Sequence, residues 1–299
     1  MATQQEQENG NHPELQIEVP RVKRFRASGP ILILAILFVV ASFLTWYFTW
    51  FGRDLNDSEI TKFLVDEKHP RHVQHALLQI QQRIERGDKS AKQWYPQIVA
   101  LASNAETEIR LTVAWLMGAD NTSEEFHNAL RKLLTDPEPI VRRNAALALV
   151  RFGDSSGRTE IVSILQPYVI KAPTSGILVS SLSSGAQVSR GALLARIQES
   201  NNEMATVRSP LNGTVDQILA INGHKISAGD PLLTLKSDEQ SIWEALRALS
   251  IVGKEEHLWL VVRYASGGEP VSDRIKQQAT LTANAIKSRA NTQDKTTKQ

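Results

Sequence analysis

Residues 170–178 read IKAPTSGIL, and residues 207–215 repeat the phrase as VRSPLNGTV. The match begins within these phrases and continues into the segments that follow them. The matched pairs are Pro173 and Pro210, Gly176 and Gly213, Gly185 and Gly223, Gly191 and Gly229, and Leu194 and Leu232. Alternating apolar residues between the glycines predict short strands, and glycine is expected where a tight turn needs positive φ. Because neither half can bury its apolar face alone, residues 167–237 predict a small β sandwich of two similar halves.

The doubled phrase A/S-P-x-x-G…G-x-x-V/I-x-x-G-x-x-L resembles the biotinyl/lipoyl domain. More specifically, it resembles the lipoyl-like part of HlyD-type membrane fusion proteins, which are periplasmic adaptors. Carrier members of this fold attach biotin or lipoate to a lysine in the hairpin that joins the halves. In NNEMATV, aligned with the carrier pattern E-x-D-K-A-T-V, Met204 takes the place of that lysine. Lys171 and Lys225 lie in other segments, and a thioether cannot form the amide, so we expect no cofactor.

The connection between the halves also departs from efflux adaptors, which insert a long helical hairpin there. Here only Gln198–Thr206 separates the halves. Two helical legs made from that stretch would extend only about 6 Å at ~1.5 Å per residue. Docking to an outer-membrane channel through such a hairpin is therefore excluded.

A second repeat precedes the sandwich. Residues 104–118, NAETEIRLTVAWLMG, align with residues 136–150, DPEPIVRRNAALALV. Each begins with an Asn/Asp/Pro break and continues as an alanine-containing helix, which resembles the second helix of a HEAT repeat. We predict HEAT-like repeats over residues 58–166, with a degenerate first pair at HPRHVQHALLQI (69–80), and a further helical pair over 240–290. HEAT-like stacks imply protein contact rather than chemistry.

The N-terminal part carries a long apolar segment. Ile31 to Phe51 contains no charged residue, and as a helix it is about 32 Å long, against a hydrocarbon core of ~30 Å. Trp46, Tyr47 and Trp50 resemble an interfacial aromatic belt. We therefore expect a transmembrane helix at 30–51 rather than a cleaved signal peptide. Basic residues before it indicate a cytoplasmic, disordered tail at 1–29, with the bulk of the chain periplasmic and a disordered tail at 291–299.

Composition excludes several classes of function. Lys+Arg 34 against Asp+Glu 32 gives no basic surface for nucleic acid, and the lack of cysteine excludes disulfides and thiolate chemistry. The phrase GDSSG (153–157) echoes a serine-protease motif but falls at the end of a repeat helix, where it is expected to be a turn. His69, His72 and His75 are spaced for one helix face, yet Pro70 places His69 at a helix start and no acidic residue has an obvious supporting role. We expect no metal site, no catalytic residue and no enzyme activity.

These features predict an α+β multidomain protein with an N-terminal transmembrane helix, HEAT-like repeats and a biotinyl/lipoyl-like sandwich. The expected function is a non-catalytic periplasmic adaptor or scaffold, anchored in the bacterial inner membrane, within a transport or polysaccharide secretion complex. Its expected partners are an inner-membrane transporter or polysaccharide synthase components, and homo-oligomers are plausible. The alternative is a stand-alone, membrane-anchored HEAT-repeat interaction module.

Overall fold

The computed structural model describes residues 29–46 and 54–297 and divides the chain into two units, Met1–Asp54 and Leu55–Gln299. In the first unit, helix α1 spans Gly29–Trp46, and its large apolar side chains from Ile31 to Leu44 are exposed. Among the described residues, no helix has the length and apolar character needed to cross a membrane. The predicted span at 30–51 thus gains no support there. Residues 47–51 of that span lie outside the described residues, as do residues 1–28 of the tail predicted at 1–29, whose last residue, Gly29, begins α1.

The second unit is a stack of helices with one β sandwich. Local signals explain several helix starts: Asn56 forms a capping box with Glu59, Ser123 and Asp238 cap the helices that begin one residue later, and Pro139 opens another helix. The helices are α2 (Asp57–Leu64), α3 (Pro70–Glu85), α4 (Tyr95–Leu101), α5 (Thr107–Met117), α6 (Glu124–Leu133), α7 (Pro139–Arg151), α8 (Arg158–Ile164), α9 (Glu239–Val252), α10 (Leu258–Ala265) and α11 (Asp273–Thr297).

These helices pack as successive pairs: α2 with α3, α4 with α5, α6 with α7, α8 with α9, and α10 with α11. The second helices of neighbouring pairs also contact one another in order, from α3 through α5, α7 and α9 to α11. This is the arrangement of a repeat stack, in which each pair buries its apolar face against the next. The helix α11 continues to Thr297, so residues 291–297 are helical and not the disordered tail that we expected, because no glycine or proline interrupts that polar segment.

The sandwich contains two four-stranded antiparallel sheets. Their strand orders are β1-β8-β6-β3 and β5-β4-β2-β7. Each strand of one sheet therefore corresponds to the strand of the other sheet whose number differs by four. This is the internal two-fold symmetry that the doubled phrase predicted. The strands are β1 (Tyr168–Lys171), β2 (Gly176–Ser181), β3 (Gln187–Val188), β4 (Leu193–Gln198), β5 (Met204–Arg208), β6 (Gly213–Ile218), β7 (Lys225–Ile226) and β8 (Pro231–Ser237).

The sandwich is inserted inside one helix pair. It leaves the stack after α8 and returns immediately before α9, and α8 and α9 nevertheless pack together. Ile161 and Ile164 of α8 share one buried core with Leu246 and Leu249 of α9. The insertion is possible because β1 pairs with β8, with Tyr168 opposite Leu235, which brings the two ends of the domain side by side. The predicted boundary between a helical region at 58–166 and a separate pair at 240–290 therefore runs through the middle of a repeat.

The paired glycines serve two different purposes. Gly185, Gly191, Gly223 and Gly229 have φ between +82° and +90°, as expected for tight turns. Gly176 and Gly213 do not have positive φ; they lie at the starts of β2 and β6, where a Cβ would meet Gln198 O at 2.3 Å and Lys236 O at 2.1 Å. The expectation of a turn role is wrong for this pair, which instead allows two strands to approach closely.

Candidate interaction site

The hairpin between β4 and β5 is the place where carrier domains bear their lysine. Its turn is closed by the Glu199 N–H, which donates to Glu203 O at 2.9 Å, and by the Asn202 N–H, which donates to Glu199 O at 3.0 Å. Asn202 has φ of 68°, so the tip lies at residues 200–202. Met204 is the first residue of β5, opposite Gln198 and 47% exposed. The structure thus places Met204 beside the base of the turn, and neither Met204 nor the tip supplies an amine.

An apolar groove runs along the second helices of the stack. Its volume is about 480 Å³, and its walls come from α3, α5 and α7 through Leu78, Leu111, Trp115 and Ile140. Leu78 is 46% exposed and Trp115 is 52% exposed, although both are large apolar side chains. The Arg151 guanidinium lies 5.8 Å from the Trp115 ring and holds one side of the indole. No motif in the sequence marks these residues; the available signal was an apolar residue on the solvent side of an otherwise amphipathic helix.

The sandwich closes one end of this groove. Arg190, in the turn between β3 and β4, pairs with Glu108 near the start of α5, and its own N–H donates to Asn212 Oδ1 at 2.8 Å. Arg190 and Asn212 also line the groove. The groove is therefore built by helices and bounded by the inserted domain.

A larger cleft of about 890 Å³ lies between the sandwich and the C-terminal helices. Across it, Lys236 Nζ lies 3.2 Å from Asp216 Oδ1 and 3.3 Å from Glu269 Oε2, and Arg263 pairs with the other oxygen of Glu269. Burial acts to lower the pKa of Lys236, but the two carboxylates outweigh it and raise the pKa above its usual value. The main charges of this cleft are engaged in ion pairs that fix the sandwich to the helices, which suits a structural junction.

Arg143 lies at the base of the sandwich. It is only 4% exposed; its Nη1 donates to Ser237 Oγ at 3.4 Å, and its guanidinium lies 5.9 Å from the Tyr168 ring. Glu160 of α8 is 3.8 Å from Nε. Burial lowers the pKa of Arg143 from its usual value. One cation therefore touches α8 and both ends of the inserted domain.

Two arginines at equivalent repeat positions join neighbouring pairs. Arg110 Nη1 donates to the carbonyls of Asn104 and Ala105, and Arg142 Nη1 donates in the same way to those of Asp136 and Pro137. Arg110 also makes a bidentate contact with Asp136, at 2.7 and 3.0 Å. These bonds explain why each break residue and the arginine six positions later occur together in the sequence repeat.

The GDSSG segment forms a turn after α7, and its aspartate is a structural acceptor. Asp154 Oδ2 accepts from His127 Nε2 at 2.7 Å and from Arg131 Nε at 2.6 Å. The other ring nitrogen of His127 lies 3.8 Å from Glu124, so the imidazole is held between two carboxylates rather than between a carboxylate and a serine. Burial acts to raise the pKa of Asp154, but the hydrogen bonds, including one from the Ser156 N–H, lower it well below its usual range.

The histidine segment forms a cluster that the sequence analysis did not anticipate. Asp66 Oδ2 lies 2.7 Å from His72 Nδ1 and 3.0 Å from His69 Nδ1. His75 is not part of this cluster; its Nε2 lies 2.9 Å from Gln79 Nε2. The acidic partner that appeared to be missing is Asp66, three residues before His69, and the phrase D-x-x-H-x-x-H was its signal.

Comparisons with known proteins match these two architectures. Residues 95–169 match the HEAT repeat family, and residues 166–235 match the biotinyl/lipoyl family described as "Biotin-requiring enzyme". No curated protein matches the chain. A solved structure of a single-chain, multi-domain long-chain acyl-CoA carboxylase is similar at 19% identity and a TM-score of 0.23, over 34% of this chain and 10% of that one. The chain therefore contains HEAT-like repeats and a domain of the biotinyl/lipoyl class. Neither family match is to a membrane fusion protein.

Proposed function

We propose that this protein is a non-catalytic scaffold that binds a partner protein in the groove lined by Leu78 and Trp115. The single observation that carries the proposal is that these two large apolar side chains stand about half exposed on adjacent helices of a HEAT-like stack. Exposed apolar grooves mark interaction sites, and tryptophan is enriched among residues that dominate binding energy.

The chemistry of the groove suggests the partner. Its apolar lining comes from Leu78, Leu111, Trp115 and Ile140, between the uncharged polar side chains of Gln81, Thr112, Asn144 and Asn212. Its one guanidinium, Arg190, is paired with Glu108. A segment with apolar residues at helical spacing fits such a groove, in the manner of an amphipathic helix that lays its apolar face on a helical surface. The domain of the biotinyl/lipoyl class then serves as a wall and brace. A carrier role is not favoured, because the β4–β5 hairpin has no lysine.

The finer proposal concerns location and assembly. We propose a scaffold that is anchored in the bacterial inner membrane and has most of its chain in the periplasm. Two features support this: the absence of charge between Ile31 and Phe51, and the resemblance to HlyD-type adaptors. Its partners would be an inner-membrane transporter or polysaccharide synthase components of a secretion complex, with self-association through the sandwich. Retention in the membrane after alkaline extraction, lost when residues 30–51 are deleted, is the expected result. Release of the intact chain by alkali would remove this part of the proposal.

The second candidate is a stand-alone HEAT-repeat interaction module in which the sandwich has no part in assembly. The observation that favours it is that α3, α5 and α7 supply most of the groove. Deleting residues 167–237 separates the two candidates. A stand-alone module keeps its partner, whereas an adaptor that assembles through the sandwich loses its complex.

The groove itself is tested by site-specific photo-crosslinking in cells that make the full chain. A benzoylphenylalanine at Trp115 is compared with one at Trp259, which is 59% exposed on α10 and away from the groove. We expect a discrete crosslinked protein from position 115 and from Leu78, but not from 259. If Trp115 is a binding hot spot, Trp115→Ala should cost ~2 kcal/mol of binding free energy and weaken the affinity for the partner about 30-fold. Trp259→Ala should leave that affinity unchanged. Equal crosslinking from 115 and 259, or an unaffected complex in Trp115→Ala, would contradict the proposal.

A further inference from the structure

We propose that Asp66, His69 and His72 form a binding site for a divalent transition-metal ion of the zinc type. One ligand atom from each of the three residues lies within 4.8 Å of the other two. The donor set is two imidazoles and a carboxylate, which suits zinc, copper or nickel far better than magnesium or calcium. This inference is independent of the groove, so either proposal can fail without the other.

The distances require little rearrangement. In a tetrahedral site with bonds of ~2.0–2.2 Å, neighbouring ligand atoms are about 3.3 Å apart. The separations from Asp66 Oδ2 are 3.0 Å for His69 Nδ1 and 2.7 Å for His72 Nδ1. An ion would therefore move each nitrogen away from that oxygen by about 0.3–0.6 Å. The two ring nitrogens lie within 4.8 Å of each other. Binding through Nδ1 requires that this nitrogen carry no proton, so the proton of each metal-bound neutral imidazole would lie on Nε2.

The backbone holds the three ligands in place before any ion arrives. The His69 N–H donates to Asp66 O at 3.1 Å, and the His72 N–H donates to His69 O at 2.8 Å, so two successive tight turns set the spacing. The ring of Phe63 stacks on the His72 imidazole with centroids 4.3 Å apart and planes 10° apart. A preformed and oriented ligand set lowers the ordering cost of binding.

Access and open coordination distinguish this cluster from a purely structural one. The side chains of His69 and His72 are 62% and 43% exposed, while that of Asp66 is 23% exposed. An ion can therefore reach the site from solvent. Three protein ligands leave a fourth tetrahedral position for water or for a group from another molecule. The cluster links the end of α2 to the start of α3, so the bound ion would also tie the first helix pair together.

The test uses the tag-free full-length chain in detergent, titrated with zinc by calorimetry and with cobalt by visible absorption. We expect one zinc per chain, and His69→Ala, His72→Ala and Asp66→Asn each to weaken binding by at least ~10-fold. His75→Ala is the matched control, because this histidine lies in the same segment but contacts Gln79, and its affinity should stay within about twofold of the parent. Circular dichroism of each variant confirms that the helices are retained.

Three results would overturn the proposal. The first is no zinc uptake by the parent chain at ~100 μM, where even a modest site of this donor set is filled. The second is equal weakening in His75→Ala and His72→Ala. The third is undiminished stoichiometric binding in the His69→Ala/His72→Ala double variant. If a single variant loses its helical signal, thermal unfolding of the parent chain with and without zinc replaces that comparison. Zinc at 100-fold its Kd should stabilise the folded parent by about 2.7 kcal/mol, and an unchanged melting temperature would contradict the proposal.

Discussion

Replacing Gly213 by alanine should open the sandwich, although glycine to alanine is usually a mild change in a strand. Gly213 begins β6 and lies between Val188 of β3 and Ser237 of β8. A Cβ built on its backbone would be 2.1 Å from the carbonyl oxygen of Lys236. Real Cβ atoms essentially never come within 3.0 Å of another heavy atom, so one strand must move by about 1 Å, and backbone on both sides resists that movement.

The cost can be built from two contributions. Overpacking of a well-packed region costs about 1–3 kcal/mol. Separating β6 from β8 near this point weakens roughly two ladder hydrogen bonds at about 1 kcal/mol each. The sum is about 3–5 kcal/mol, which is a large share of the ~5–15 kcal/mol that stabilises a typical domain. Gly176, its symmetry partner, should respond similarly because its Cβ would meet Gln198 O at 2.3 Å.

The assay is native-state hydrogen exchange followed by mass spectrometry, which measures the opening free energy of β8 separately from that of the helices. The matched control is Gly223→Ala, where φ is +84° and nothing lies within 4 Å of the added Cβ. That control should lose only about 1–2 kcal/mol, the cost of left-handed backbone in a residue with a side chain. If Gly213→Ala lowers the opening free energy of β8 by no more than Gly223→Ala does, the close-approach argument is wrong.

Three further outcomes follow from the structure. Asp154→Asn should lower the free energy of unfolding at neutral pH by about 1–3 kcal/mol, because a side chain only 8% exposed would accept more weakly from Arg131, His127 and the Ser156 N–H. Since the folded-state pKa of Asp154 is depressed, the difference between parent and variant in urea unfolding should be complete above about pH 5 and shrink as the pH falls below about 4. Arg190→Ala should change the denaturation midpoint little, because exposed ion pairs contribute about 0–1 kcal/mol. Joining Gln166 to Asp238 by a short glycine-serine linker should leave the helical circular dichroism per residue of the stack intact, and a collapse of that signal would show that the repeat depends on the inserted domain.

The sequence predicted what is encoded locally. The doubled glycine-and-proline phrase specified two similar halves, and the strand orders of the two sheets confirm it. The alignment of residues 104–118 with 136–150 predicted equivalent helices, because the signals before each helix are local. Asn104 and Asp136 accept from the N–H two residues later, and the arginine six residues after each donates back to the same turn. Turn glycines such as Gly185 and Gly223 were likewise predictable from spacing alone.

The features that escaped prediction depend on partners distant in sequence or on a crossing between strands. The sequence of α8 does not identify α9 as its packing partner. The apolar pattern of a helix shows which face is buried but not which helix covers that face. Gly176 has the sequence context of a turn glycine, and its role depends on the carbonyl oxygen of Gln198, which lies close to where a Cβ would be. From the sequence, Trp115 would be assigned to the core, because its helix is apolar. In the folded chain it lines the groove beside residues of α3 and α7, and its side chain is half exposed.

The position of the insertion constrains how the chain is made on the ribosome. The helix α8 emerges before the whole segment Leu165–Asp238, and its mate α9 emerges after it. At ~5–20 residues per second, this segment takes roughly 4–15 s to synthesise, and the apolar face of α8 has no α9 to pack against during that time. During that delay the β domain can complete itself, since its first and last strands are neighbours. Once the β domain has folded, its adjacent ends place α9 next to α8 as soon as α9 is synthesised. The helix pair can therefore form without any rearrangement of the inserted domain.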